Sequence, residues 1–351
     1  MSATGRPERE YRSAQHEGKP VSANIRTASD ATIAAAARLL RAGELVAFPT
    51  ETVYGLGADA SNPAAMRRLF EAKGRPSDHP VIVHVADLAA AERWSAGMPA
   101  GAKALARAFW PGPLTLVVPR AAGVSDAVTG GQSSVGLRVP SHPVARALLV
   151  AFEGGIAAPS ANRYGHVSPT TAQHVADDLG DAVSLILDGG ACEVGIESTI
   201  VAFDGEASML LRPGGIGADA IAGVVGPMRA PGGASAPRAP GTLASHYAPH
   251  TPATLVSRDA LRAELLQLAD RDERIAVLAR DLAIPEGFDG VWMRAPRDAV
   301  AYARALYANL RALDAAGADA ILIEEVPGER EWAAVRDRLM RAAAGIDDDR
   351  D

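Results

Sequence analysis

Residues 227–252 read PMRAPGGASAPRAPGTLASHYAPHTP, and no other stretch limits the fold as strongly. Proline lacks an N–H and fixes φ, and Gly, Ala and Ser in such a mixture give no apolar face to pack, so this stretch forms neither a buried helix nor a sheet ladder. It therefore divides the chain into two globular units, residues 25–226 and 253–345, in keeping with roughly 100–200 residues per domain. His246-Tyr247 within it is an aromatic pair out of place in an idle linker. The linker is expected to lie across the first unit as a lid. His246 and His250 are four apart, but Pro249 between them rules out a helical metal pair.

Both units alternate short apolar runs with helical patterns, which gives the class α/β. In the second unit ATLVS, RIAVLAR, VWMRA and ADAILIEEV read as strands, with helices to about residue 270, over 298–315 and over 332–344. That is a small Rossmann-like parallel sheet without G-x-G-x-x-G, expected to be structural or regulatory. The first unit predicts helices over 31–41 (capped by Asp30), 62–73, 102–109, 142–152 and from Ser168-Pro169 onward. Its strands are predicted at 45–48, 81–85, 114–119, within 132–140 around Arg138, after 152 with residues 157–162 at its end, at 185–188, at 200–203 and ending at 212, forming a twisted mixed open sheet. Residues 1–24 are charged and lack an apolar segment, so they read as a disordered tail, neither signal peptide nor membrane anchor.

Net charge is −7, so no bulk basic field draws the chain to nucleic acid, and any anion site must be built from locally placed Arg and Lys. One cysteine, Cys192, cannot form an internal disulfide and suits a reducing compartment. With no tight His cluster it also argues against structural zinc. No run approaches the ~18 apolar residues of a membrane span, and a cytoplasmic protein is expected.

Residues 45–59 (LVAFPTETVYGLGAD) place Thr50, Glu51 and Thr52 at the end of a strand, followed by Tyr54 as an aromatic plate and Gly55 and Gly57 as flexible positions. Ligands of open α/β sheets sit just beyond strand ends. Lys73 and Arg75, one glycine apart in a Gly/Pro loop, either hold an anion between them or complement the preceding helix C-terminus. His84 inside an apolar strand is a satisfied core residue or a ligand group, facing opposite to Val83 and Val85, and His79 lies in the loop before it. Arg138, amid apolar neighbours, faces a bound anion or pairs with an internal acid such as Asp188 or Glu197. Ser160 lacks a G-x-S-x-G elbow, which argues against a hydrolase nucleophile. Ser134, Asn162, Ser168, Ser198 and Arg212 add hydroxyls, an amide and a cation at strand margins or loops. So many cations and hydroxyls in an acidic chain suit a nucleoside triphosphate, and the absence of G-x-x-x-x-G-K-[ST] excludes a conventional P-loop.

PTETVYGLGAD, KGRPSDHPVIVHV, VGLRVPSHP, APSANRYGHVSPT, GIESTIV, LRPGGI and SHYAP occur in this order. Together they resemble the YrdC-type family of threonylcarbamoyl-AMP synthases over roughly residues 25–250, and the C-terminal part is similar to the extra domain of its long form. The resemblance implies that L-threonine, bicarbonate or CO2 and ATP give threonylcarbamoyl-AMP and pyrophosphate, for the threonylcarbamoyladenosine modification of tRNA. It implies threonine binding by Thr52, His84, Arg138, Ser198 and the backbone at Ala158. It implies ATP binding by Lys73, Arg75, His79, Ser134, Ser160, Asn162, Ser168, Arg212 and Tyr247, with Lys73, Arg75 and Arg138 carrying the catalytic charge. Mg2+ would accompany ATP, no metal would be bound by the protein itself, and tRNA and a tRNA-threonylcarbamoyl transferase complex would be downstream partners. Two other readings are a double-stranded RNA or tRNA-binding module without nucleotide chemistry, and a carbamoyl-phosphate-dependent transfer domain. The first is disfavoured by the charge, the second by the lack of accessory domains.

Overall fold

The computed structural model describes residues 24–230, 237–243, 245–268 and 273–345. The expected tail, apart from Asn24, lies outside them. Strands β1 (Ile25–Thr27), β2 (Val46–Pro49), β3 (Tyr54–Asp59), β4 (Ile82–His84), β5 (Leu114–Pro119), β6 (Ser134–Arg138), β7 (Ile156–Ala157), β8 (Leu185–Asp188), β9 (Thr199–Asp204) and β10 (Ala207–Arg212) form one sheet. Its order is β1-β8-β2-β3-β7-β4-β6-β5-β9-β10, mixing parallel and antiparallel pairs. Helices cover it. Pro63–Lys73 is capped by Asn62 and Pro143–Phe152 by His142, at the predicted places.

Several local expectations are corrected. Ser29, not Asp30, caps the helix Asp30–Arg41, because Ser29 and Thr32 form a reciprocal capping box. The strand predicted at 45–48 is Val46–Pro49, ended by the proline. Pro49 is the last residue of β2, opposite Tyr54, where its missing N–H costs no sheet bond. Gly55 and Gly57 are not flexible loop positions but lie inside β3. A Cβ on Gly57 would stand 2.9 Å from Phe48 Cε1 and 3.0 Å from Ile156 Cγ2, so close packing demands glycine there. Tyr54 is no ligand plate, since it is fully buried and its hydroxyl donates to Gly190 O at 2.8 Å. Ser168-Pro169 does not open a helix. The helix Ala172–Leu179 is capped by Thr171, while Pro169 O accepts from Tyr54 N at the sheet. Short helices at Leu88–Trp94, Asp126–Thr129 and Ala218–Val225 went unpredicted because each is one or two turns long.

The second sheet contains β11 (Ala253–Val256), β12 (Ile275–Ala279), β13 (Val291–Arg294) and β14 (Ala320–Glu324), all parallel in the order β11-β14-β12-β13. Helices Arg258–Leu268, Ala299–Asp314 and Ala333–Ala343 pack on it, as the alternation predicts. One apolar cluster crosses between the units: Val53, Val167, Ile196 and Tyr247 pack with Tyr307, Leu310, Trp332 and their neighbours. Arg311 reinforces this contact with an ion pair to Asp178 at 2.5 Å. The second unit therefore docks against the end of the first sheet where its polar tips gather.

Candidate active site

The turn after β2 is built around one hydroxyl. Thr50 Oγ1 donates to Val53 O at 2.6 Å and accepts from Thr52 N and Val53 N, which fixes Thr52 beside it with Oγ1 to Oγ1 at 2.8 Å. The parallel register of β4 with β6 sets His84 opposite Arg138. The chain leaving β7 runs back along β3, with Leu56 N bonded to Pro159 O, and this brings Ala158 and Ser160 to the same edge. Ser198 at the head of β9 bonds Thr115 Oγ1 at 2.8 Å, and Arg212 at the end of β10 reaches back to it.

These tips surround a cleft with about 550 Å3 of free space, counting its open mouth. Thr52, His84, Arg138, Ala158 and Ser198 line it together with Arg75, Ser160, Arg212 and Tyr247. The linker roofs it through Pro240, Gly241, His246 and Tyr247. Gly241 is required there: it has φ +72°, and a side chain on it would collide with the Tyr247 hydroxyl.

The remaining sequence candidates lie elsewhere. Ser134 lines a neighbouring hollow of about 270 Å3 under Arg238 and Pro240. His79 lines a third, of about 390 Å3, with Arg75, Tyr164 and His246. Lys73, Asn162 and Ser168 line none of the three. Lys73 is buried and spends its ammonium on Ser160 O at 2.6 Å and Asn162 O at 2.5 Å, so it anchors that loop instead of facing the cleft. Burial and the Arg75 charge push its pKa well down. Asn162 Nδ2 donates to Arg163 O and His166 O, and Ser168 Oγ donates to Glu197 at 2.6 Å.

The cations of the cleft differ in what answers them. Arg138 pairs with Glu51 at 2.8 Å, both buried, so its acid is neither Asp188 nor Glu197. Burial alone would raise the Glu51 pKa, but Arg138 holds it below the ordinary value. Glu51 engages only Nη2, and Arg138 Nε has no partner among the described residues. Arg75 donates to Pro80 O at 2.8 Å and lies over the Tyr164 ring. Arg212 donates to Ser198 O, Ser198 Oγ and Pro240 O. Among the described residues neither Arg75 nor Arg212 has a carboxylate partner, although both are more than nine-tenths buried. A buried guanidinium answered only by carbonyls is costly unless an anion completes it.

Buried histidines complete the walls. His84 and His246 are each pushed down to about 3, His84 by burial and the Arg138 charge, His246 mainly by burial, so both are neutral near pH 7. Five of the eleven buried side-chain polar atoms without a partner among the described residues belong to this lining: Arg75 Nε, His84 Nδ1, Arg138 Nε, His246 Nδ1 and Tyr247 Oη. A few convergent polar groups in a concave site are what small-molecule recognition requires.

Glu197, Tyr307 and Arg338 were not among the sequence candidates. Arg338 did leave a signal. It occupies the buried stripe Val335, Arg338, Leu339, Ala342 of its helix, where an arginine needs a specific partner. Tyr307, on an apolar helix face, left none.

The chain matches two family profiles. Residues 38–214 match the Sua5–YciO–YrdC profile, described as "Telomere recombination", and residues 216–344 match "Threonylcarbamoyl-AMP synthase, C-terminal domain". It is similar to the threonylcarbamoyl-AMP synthase of Bacillus subtilis (strain 168), 41% identical over 328 residues, covering 90% of this chain and 94% of that one. The protein of the same name from Pyrococcus abyssi is 40% identical over 320 residues, covering 88% and 93%. The crystal structure of P. abyssi Sua5 complexed with L-threonine superposes with a TM-score of 0.84 at 37% identity, covering 91% of this chain and 96% of that one.

Proposed function

The chain belongs to the Sua5–YciO–YrdC family in its two-domain form, and from that premise we propose that it is an L-threonylcarbamoyladenylate synthase. It is a nucleotidyltransferase that converts L-threonine, bicarbonate or CO2 and ATP into threonylcarbamoyl-AMP and pyrophosphate. The observation that carries this reading is the pair Arg75 and Arg212: buried, unanswered by any carboxylate among the described residues, and on one cleft with the Thr52, Ser198 and Arg138 side chains. No feature of the cleft favours an RNA-binding module without nucleotide chemistry.

In this reading residues 25–226 form the catalytic unit, 227–252 the lid and 253–345 the supporting domain. The free edge of Arg138 takes the threonine carboxylate, with Thr52, Ser198, neutral His84 and the backbone at Ala158 around the rest. Arg75, Arg212, Ser160 and Tyr247 take the nucleotide, with Ser134 and His79 in the adjoining hollows. Lys73, Asn162 and Ser168 act one step back, fixing the loop that carries Ser160 and the carboxylate of Glu197. The neutral amine of threonine adds to CO2 and gives up one N–H proton to water, a carbamate oxygen attacks the α-phosphorus, and pyrophosphate carries away the electron pair of the broken P–O bond. Both reactants are anionic, so positioning and charge neutralisation supply the catalysis. Mg2+ enters with ATP as part of the substrate, bound by phosphate oxygens and water, and offsets part of the charge. Carbamates and acyl phosphates hydrolyse readily, which gives the lid its purpose.

The product then serves a tRNA-threonylcarbamoyl transferase complex acting on tRNA, in the cytoplasm. Among the described residues no helix is long and apolar enough to cross a membrane. The test is pyrophosphate release from ATP by the full chain, expected only with threonine and bicarbonate together. Turnover indifferent to threonine would reject the assignment.

A further inference from the structure

Glu197 is the one carboxylate among the residues lining the cleft, and the charges of Arg338 and Arg212 both act on it. Its Oε1 accepts from Ser168 Oγ at 2.6 Å, and its Oε2 accepts from Tyr307 Oη and Arg338 Nε, both at 2.8 Å. The last two donors belong to the second unit. Arg338 is fully buried, and its guanidinium carbon lies 5.2 Å from the centre of the Tyr247 ring. Arg212, which also lines the cleft and is held by the residue next to Glu197, gives its nitrogens to Ser198 and Pro240 instead.

We propose that Arg338 is a positioning residue for the nucleotide site: by holding the Glu197 carboxylate it keeps Arg212 free for phosphate oxygens. This rests on the synthase reading of the cleft. A buried carboxylate does not remain unpaired, because the cost of an uncompensated interior charge is several kcal/mol. Without Arg338, the other guanidinium in the electrostatic reach of Glu197 is Arg212. Turning toward it, Glu197 would cancel the cation that faces the cleft and draw it off Ser198. The carboxyl is held at about 2 against the burial that would raise it, with Arg338 the larger of the two opposing charges and Arg212 the smaller. The second unit thus sets the charge of the first unit's site.

The experiment uses the full chain and the steady-state KM values for ATP and threonine in pyrophosphate release. Arg338→Met should raise KM for ATP about tenfold or more, equivalent to roughly 1.4 kcal/mol, and leave KM for threonine within about threefold. Glu197→Gln removes the competing charge, so Glu197→Gln/Arg338→Met should have a KM for ATP within about threefold of Glu197→Gln alone. An unchanged KM for ATP in Arg338→Met, an equal rise in both KM values, or a double variant as impaired as Arg338→Met would overturn the proposal. If Arg338→Met does not fold, the two variants in the Glu197→Gln background decide: equal KM values support the proposal, and a further loss overturns it. A wild type that consumes ATP without threonine refutes the synthase reading, whereas a normal wild type with an unresponsive Arg338→Met refutes only this one.

Discussion

Acidification from pH 7 to pH 5 should destabilise the fold through two histidines on opposite sides of the cleft. His84 in the wall and His246 in the roof are buried and held at about 3. In the unfolded chain each returns to about 6.5. The native state therefore keeps both neutral while the unfolded state takes up a proton, so stability falls as pH drops through 6.5 and continues to fall to about 3. At pH 5 the loss is about 2 kcal/mol per group and about 4 kcal/mol for the two. Glu51 and Glu197, whose pKa values are lowered from 4.5, lose their contribution only below that value and do not enter this window. The less buried His79, His142 and His166 are shifted in the same direction and add to the wild-type background. Urea unfolding at both pH values, for wild type and His84→Gln/His246→Gln, isolates the pair: the double variant should lose about 4 kcal/mol less than wild type between pH 7 and 5. Equal losses, or NMR titration of either imidazole near its free value, would refute the reasoning.

Two further outcomes follow from the site. Arg75→Ala should weaken ATP binding about tenfold or more with threonine binding retained, because it removes one of the two cleft guanidiniums without a carboxylate partner among the described residues; calorimetric titration of both ligands checks this, and an unchanged ATP affinity would contradict it. Deleting residues 253–351 while keeping the linker should leave a cooperative melting transition, since the two largest apolar clusters under the first sheet are made wholly of its own unit. The deletion should abolish ATP turnover, because it uncovers Tyr247 and Ile196 and strips Tyr307 and Arg338 from Glu197.

Much of the architecture could be read from local signals. Asn62-Pro63 and His142-Pro143 mark helix starts because a cap and a proline at the first turn act within four residues. The alternation after Ala253 reads directly as a parallel sheet for the same reason. Misreadings fell where a distant contact overruled a local rule. Gly55 and Gly57 look like a loose loop, yet both lie inside β3, where Phe48 and Ile156 leave no room for a side chain on Gly57 and Ala158 lies close to Gly55. The surroundings of Lys73 were equally hidden: its ammonium donates to the carbonyls of Ser160 and Asn162, 87 and 89 positions on.

Most of the longer helices and strands, and the segments that end in hydroxyls and cations, were legible in the residues alone, because periodicity, capping and turn chemistry act over a few residues. Which of those cations are spent is set by packing. Arg138 meets Glu51 across 87 positions and Arg338 meets Glu197 across 141. Whether a guanidinium is quenched or available depends on the carboxylate a few ångströms away, and that neighbour is chosen by packing between elements far apart in the chain.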